Sequence, residues 1–284
     1  MGLHGKAIAF PCRLYLAFHS ALLSFTLSRP NPLLAGLLSP CYSVYTAQMF
    51  ETRTYEDDLI LSPEIRARWT FLETSSAAAV MRSVCPEEWR DITDVLGKFE
   101  LDPQQWLFKG GNRGKIPEAI DNMFHARGWR EIRVDLETRG ILIGKDEKIV
   151  EELPPVHQEG YLVDNFKHRV ALDVEWNAKD GNLDRDLAAY RAWHDAGVIS
   201  AAVLITQDRL ALKALAEQLW RDHQETLPED QRKLKLPIDL ATSTTTNLEK
   251  TELRLRRGVM GTCPLLVVAA TQNTWNKKPY SVPT

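Results

Sequence analysis

The spacing of hydrophobic residues predicts two helices in the first half of the chain. One helix begins at Pro86, because a proline followed by two glutamates is typical of a first helical turn. Its apolar residues recur at helical spacing: Trp89, Ile92, Leu96 and Phe99. A second helix is predicted from Ile116 to Arg127, and Gly128 ends it. The glycine-rich segment 102–115 between them is expected to be a loop.

Further along, strands and helices alternate. Segments 129–136 and 170–176 alternate apolar and polar residues, while 198–206 and 264–270 are apolar runs suited to buried strands. Between these strands we expect a helix capped by Asn182 and ended by Gly197, and another that runs through Trp220. The polar segment from His223 to Leu236 is expected to be a loop. This order predicts an α/β fold, with a central mixed β-sheet flanked by helices.

Residues 1–48 differ from the rest of the chain. They contain no acidic residue and three cations, Lys6, Arg13 and Arg29. The apolar run from Leu14 to Leu27 is shorter than the ~20 residues of a membrane-spanning helix, so we predict no membrane protein. We interpret residues 1–48 as an unstructured extension or a mis-assigned start, with a signal peptide as the alternative. Residues 49–284 are predicted to form a single domain.

Composition limits the function classes. The formal net charge of the 284-residue chain is −3, so any nucleic-acid surface must be a local basic patch. Four widely spaced cysteines form no CxxC pair, which argues against a zinc ribbon and a disulfide scaffold. The reducing cytoplasm is the simplest setting.

Candidate chemistry concentrates in the segment from Asp164 to Glu175. On a strand, Asp173 and Glu175 share one face, while Val170, Leu172, Val174 and Trp176 share the other. Asp164 precedes Asp173 at a spacing that suits a hairpin with its turn at Asn165 to His168. Three converging carboxylates need a cation, and hard oxygen ligands favour Mg²⁺. The alternative is that Asp173 and Glu175 form the solvated face of an edge strand.

These residues resemble a known signature. The pattern Asp164-x8-Asp173-x-Glu175 resembles that of PD-(D/E)XK nucleases. More closely, Asp164 with Lys167, Arg169-Val-Ala and acid-Val-x-aromatic resembles the restriction endonucleases of the BglII and BstYI type. The likeness extends from about Glu87 to Ala270. It includes the segments at Pro86–Trp89, Ala126–Trp129, Arg257–Val259 and Pro264–Val267.

The resemblance implies a restriction-endonuclease-like core and a type II enzyme of a restriction–modification system. Such an enzyme hydrolyses double-stranded DNA at a short palindromic site with Mg²⁺, as a homodimer. Asp164 and Asp173 are then expected to bind the metal, and Glu175 to complete its shell and orient the water. One departure stands out: the BglII-type pattern has Glu and then Gln at the positions of Asp173 and Glu175. The final Glu resembles the acid-x-Glu arrangement of BamHI.

DNA contacts are expected from basic and amide side chains near the site and in the C-terminal region, because local cations supply phosphate affinity. The candidates are Lys115, Lys167, Asn177, Lys179, Arg254, Arg256 and Arg257. Ordinary solvated charge explains any single arginine of this set equally well. Two other functions remain open: a repair or mobile-element nuclease without strict sequence readout, and a DNA-binding protein with a decayed active site.

Overall fold

The computed structural model describes residues 51–107, 114–176, 179–233, 235–238 and 245–281. The α-helices of this part are α1 Pro63–Arg66, α2 Ala77–Val84, α3 Pro86–Lys98, α4 Pro103–Trp106, α5 Lys115–His125, α6 Asp180–Asp195, α7 Arg209–Glu225 and α8 Leu248–Arg256. Its strands are β1 Trp69–Thr74, β2 Arg130–Arg133, β3 Leu136–Thr138, β4 Ile141–Ile143, β5 Ile149–Glu152, β6 Val156–Gln158, β7 Leu162–Lys167, β8 Val170–Val174, β9 Ala201–Gln207 and β10 Leu265–Ala270. Short 3₁₀ helices lie at Thr54–Glu56, Glu229–Gln231 and Gln272–Thr274.

Six strands form the central sheet, in the order β1-β10-β9-β8-β7-β2. Strands β8, β9 and β10 are parallel, and the others pair antiparallel with their neighbours. The remaining strands form two separate two-stranded sheets, β3 with β6 and β4 with β5. The predicted mixed sheet flanked by helices is therefore confirmed.

Helices cover both faces of the central sheet, which explains why β9 and β10 are buried along their whole length. On one face, side chains of α2, α3, α5 and α7 pack against Val170, Leu172 and Val174 of β8. On the other face, Leu183, Leu187 and Tyr190 of α6 and Leu255 of α8 cover Ala171 and Val163. The two faces thus have separate apolar cores, with β8 between them.

Most of the predicted elements agree with the structure, and four differ. The segment 102–115, expected to be a loop, contains α4. Asn182, predicted to cap its helix, lies inside α6, because that helix begins two residues earlier at Asp180.

The other two differences concern a strand and a loop. The strand expected over 129–136 keeps its alternating burial, but it divides between β2 and β3, which lie in different sheets. The break lies at Asp135, whose carboxylate accepts hydrogen bonds from Arg133 and from the Gly160 backbone. His223 is helical and buried, because its ring packs 5.1 Å from the ring of Tyr280, so the loop begins later than expected.

None of the helices in the described ranges is long and apolar enough to cross a membrane. The predicted extension, residues 1–48, lies outside the described residues.

Candidate active site

The hairpin of β7 and β8 sets the geometry of the predicted site. Its register pairs Asn165 with Leu172 and Lys167 with Val170, so the next pair along the ladder is Asp164 and Asp173. Directly opposed residues in antiparallel strands present their side chains on the same face. The reversal is tighter than the predicted turn at Asn165 to His168, because strand pairing continues to Lys167. His168 adopts the left-handed conformation, with φ 45°, that such a short loop requires.

The two aspartates are cross-linked through the backbone. The N–H of Asp164 donates to the Asp173 carboxylate at 2.8 Å, and the N–H of Val174 donates to the Asp164 carboxylate at 3.2 Å. Each carboxylate therefore accepts a bond from the opposite strand, which fixes its position. The structure thus brings Asp164 and Asp173 together, as their spacing predicts.

Glu175 follows directly at the end of β8. Its N–H donates to Ile205 of β9 at 2.9 Å, and its carbonyl accepts from the Thr206 hydroxyl at 2.7 Å. The side chains of Asp173 and Glu175 lie in the interior, with only 6% and 8% of these residues exposed. Because β8 has a partner strand on each side, the interpretation of these acids as a solvated edge-strand face is wrong.

Helix α6 adds two residues that the sequence analysis did not assign to the site. The Tyr190 hydroxyl donates a hydrogen bond to the Asp173 carboxylate. Asp186, four residues earlier and so on the same side of α6, is also buried. The signal was present in the pattern: position 186 falls within the apolar stripe of Leu183, Leu187 and Tyr190. Burying a carboxylate without a partner is energetically costly, so an acidic residue on a buried helical face indicates a polar partner in the interior.

Burial dominates the electrostatics of this group. Burial, the charge of Asp164 and then that of Asp186 raise the pKa of Asp173 well above its ordinary value. Burial and the neighbouring Asp186 raise the pKa of Glu175 to about 9. Burial also raises the pKa of Asp186, although Arg185 opposes the shift. In the protein without a bound cation, these carboxyls therefore hold protons that solvent-exposed carboxyls would release.

Arg185 is the cation adjacent to these carboxylates. Its Nε and Nη2 both lie 2.8 Å from Oδ1 of Asp186, and its guanidinium stacks 5.4 Å from the ring centroid of Tyr161. Burial works against its charge, but hydrogen bonding to Asp186 and the charges of Glu175 and Asp173 raise the pKa of Arg185. Among the described residues, the site thus combines four carboxyl groups with one guanidinium.

The donor set fits a hard divalent cation, because it offers carboxylate oxygens whose raised pKa values reflect missing positive charge. Asp164, Asp173 and Glu175 are the candidate ligands. The oxygens of these three residues are not preorganised as a compact metal site. In the described ranges, a different cluster has three potential ligand atoms within 4.8 Å of one another, and it consists of Glu87, Glu88 and His168. That second cluster already contains a cation, since Lys167 Nζ lies 2.6 Å from Glu87.

The predicted DNA contacts fall into two groups. Lys115 and Lys179 are exposed at the start of α5 and α6, and Arg256 and Arg257 are exposed at the end of α8. Arg256 pairs with Glu252 of its own helix. Asn177 lies outside the described residues.

The other two predicted contacts, Lys167 and Arg254, form ion pairs inside the protein. Lys167 Nζ binds Glu87, Asp91 at 2.9 Å and the carbonyl of Arg127 at 3.1 Å. Arg254 makes a two-point contact with Asp184, at 2.6 and 2.8 Å. Both cations therefore hold elements of the fold together, and a DNA phosphate would have to compete with these partners.

A mixed sheet flanked by helices, with buried carboxylates on its central hairpin, has the architecture of a restriction-endonuclease-like nuclease. The sequence model of the family described as Restriction endonuclease BglII/BglIII matches residues 69–270. This span runs from the first residue of β1 to the last residue of β10 and contains all three predicted carboxylates. The chain belongs to this family. A comparison with curated proteins found no match.

Proposed function

We propose that this protein is a type II site-specific deoxyribonuclease. It hydrolyses phosphodiesters of double-stranded DNA at a short palindromic site, requires Mg²⁺ and works as a homodimer in the cytoplasm, within a restriction–modification system. The observation that carries the proposal is that Asp164 and Asp173 lie opposite each other across the β7–β8 hairpin. Glu175 is buried two residues after Asp173, and the chain belongs to this nuclease family.

The proposed roles follow from position. Asp164 and Asp173 hold the metal, because their carboxylates are fixed on one face of the hairpin by the backbone N–H groups of the opposite strand. Glu175 completes the set and orients the attacking water, because Ile205 and Thr206 fix its backbone. When bound, Mg²⁺ supplies Lewis-acid polarisation of the phosphodiester and acidifies the water. A water oriented by Glu175 would form a new P–O bond as the bond to the leaving oxygen breaks, and that oxygen would take up a proton, which leaves a phosphate monoester and a hydroxyl.

The DNA surface of this proposal consists of the exposed cations. Lys115, Lys179, Arg256 and Arg257 are the leading contacts, because their side chains reach solvent. Asn177 and Lys179 follow the catalytic strand directly in the chain. Lys167 and Arg254 stay as candidate contacts of lower rank, since their side chains are largely buried and acidic partners already neutralise their charge.

The test is plasmid cleavage with Mg²⁺. The proposal expects discrete bands that appear with Mg²⁺ and vanish with a chelator. A smear would instead indicate a nuclease without strict sequence readout, such as a repair or mobile-element enzyme. Binding without any cleavage would indicate a decayed active site. The last two outcomes contradict the proposal.

A further inference from the structure

Charge balance at the candidate site is unfavourable for a DNA phosphate. Four carboxyl groups converge there, those of Asp164, Asp173, Glu175 and Asp186, and three of them lie in the interior. A single divalent cation offsets only part of this negative charge. A phosphodiester carries a further negative charge, so its approach calls for another positive group.

Arg185 is placed to supply that charge. Its guanidinium contacts the buried Asp186 carboxylate and is itself partly open to solvent: the side chain of Asp186 is 5% exposed and that of Arg185 is 37% exposed. Two of its nitrogens, Nε and Nη2, are occupied by Asp186. Its third nitrogen, Nη1, has no hydrogen-bond partner within the described part of the chain.

Two neighbours fix the guanidinium in this position. Asp186 holds one edge of it, and the ring of Tyr161, just before β7, lies against it at 5.4 Å. A planar group anchored on one edge and stacked on an aromatic ring keeps little rotational freedom, so little entropy is lost when its free edge binds phosphate. By contrast, Lys167 and Arg254 are 12% exposed and paired with acids of other elements.

We propose that Arg185 contacts a phosphate of the bound DNA at the cleavage site, through the edge of its guanidinium that Asp186 leaves free. This inference rests on the proposed nuclease function and adds to it a residue outside the carboxylate signature. In this arrangement Asp186 acts as a positioning residue, because it orients Arg185 and does not itself contact DNA.

The test compares Arg185→Ala, Arg185→Lys and Arg191→Ala. Arg191 is the matched control: it lies on the same helix, is 51% exposed and pairs with Asp195. We expect Arg185→Ala to slow single-turnover plasmid cleavage at saturating Mg²⁺ by at least about 100-fold, the effect of removing one well-placed donor to a developing charge. Arg185→Lys retains the charge without the planar geometry and is expected to lose about 10-fold. Arg191→Ala should cleave as the unaltered chain does.

A second measurement separates phosphate contact from a merely structural role, and it needs no metal. The affinity for a plasmid fragment is measured over a range of salt concentrations in a chelator-containing buffer. Loss of one phosphate contact lowers the slope of log affinity against log salt by about 0.9, and we expect this change for Arg185→Ala alone. Thermal unfolding checks that each variant folds. If the alanine variant does not fold, Arg185→Lys is compared with the unaltered chain instead, and it should keep the salt slope while cleaving more slowly.

The proposal is overturned if Arg185→Ala cleaves at the unaltered rate. It is also overturned if cleavage falls while the salt slope stays unchanged, because that result limits Arg185 to holding Asp186 in place. Failure of the unaltered chain to cut DNA would contradict the proposed function instead, and the salt slope would still show whether Arg185 contacts phosphate.

Discussion

Burial and the neighbouring Asp186 suit Glu175 to the metal-binding role that we propose for it. Its side chain lies in the interior beside Asp186, and this environment raises its pKa to about 9, from an ordinary value of 4.5. Between these two pH values the folded protein binds a proton that the unfolded chain releases. The contribution of Glu175 to stability is therefore lost as the pH rises through this window. A bound divalent cation would offset this loss of stability, because it favours the ionised form of the Glu175 carboxylate.

The corresponding prediction uses Glu175→Gln, which keeps the shape of the side chain and removes its titration. In metal-free buffer, we expect the variant to gain stability relative to the unaltered protein as the pH rises from 6 to 9. The gain should reach about 4 kcal/mol at the upper end, which corresponds to about 12 °C in Tm. Glu217→Gln on α7 is the control, because Glu217 is 47% exposed and should show no such trend. A constant difference in Tm across this range would contradict the assignment of the raised pKa.

At the scale of elements, Lys167 joins the β7–β8 hairpin to two helices. Its ammonium binds Glu87 and Asp91 of α3 and the carbonyl of Arg127, just after α5. Since the lysine is only 12% exposed, removing it leaves two acids near each other without their cation. Lys167 therefore supports the position of β7 on which Asp164 depends.

We predict that Lys167→Met lowers the free energy of unfolding by about 2 kcal/mol, which corresponds to a fall of about 6 °C in Tm for a domain of this size. Lys213→Met provides the comparison: Lys213 and Glu217 form an exposed pair 3.9 Å apart on α7, and its loss should cost less than about 0.5 kcal/mol. Thermal unfolding followed by circular dichroism measures both. Equal Tm values for the two variants would show that the Lys167 contacts do not stabilise the hairpin.

The same elements show what the sequence can and cannot predict. The alternation of Val170 to Trp176 predicts the burial of one face and the grouping of the acids on the other, because a strand imposes this periodicity locally. The pairing of Asp164 with Asp173 also follows from short spacing within one hairpin. The place of Asp186 at the site depends on how α6 packs across the sheet, and the partners of Lys167 lie on a helix far away in the chain. Such contacts are set by tertiary packing, which periodicity does not reveal.

At the scale of the whole molecule, the first residues of the described part of the chain contact β1 and α2. The N–H of Thr52 donates to the Glu73 carbonyl at 3.0 Å, and the backbone and hydroxyl of Thr54 both donate to the buried Glu73 carboxylate at 2.6 Å. Glu73 also accepts from Ala78 at the start of α2. Residues 52–54 thus close the edge of the sheet at β1.

We therefore predict that a chain beginning at Met49 folds and cleaves DNA as well as the full chain, because it keeps every one of these contacts. Circular dichroism, Tm and plasmid cleavage are compared between the two chains. If the shorter chain is insoluble or inactive while the full chain is active, residues 1–48 belong to the functional protein.

The second prediction at this scale concerns the number of chains. The described part of the chain contains one carboxylate site on one hairpin, whereas a palindromic duplex presents two equivalent scissile phosphates. A twofold dimer matches that symmetry. Light scattering should therefore give twice the chain mass of 32.3 kDa in the presence of a cleavable duplex, after subtraction of the DNA. A single-chain mass with and without DNA, together with accumulation of nicked circles, would instead indicate a monomer that cuts one strand at a time.

Surfaces of α5 and of α3 near Trp89 are the proposed interface.

We propose that Asp164 and Asp173 form the metal site of a DNA-cleaving enzyme. The most direct measurement is single-turnover plasmid cleavage by Asp164→Ala and Asp173→Ala, with Asp195→Ala as the exposed control on α6. Each site variant should lose more than about 1,000-fold in rate with Mg²⁺, because the metal loses a ligand. Binding to DNA in Ca²⁺ should stay largely intact, and Asp195→Ala should cleave normally. Cleavage near the unaltered rate by either site variant would contradict the account.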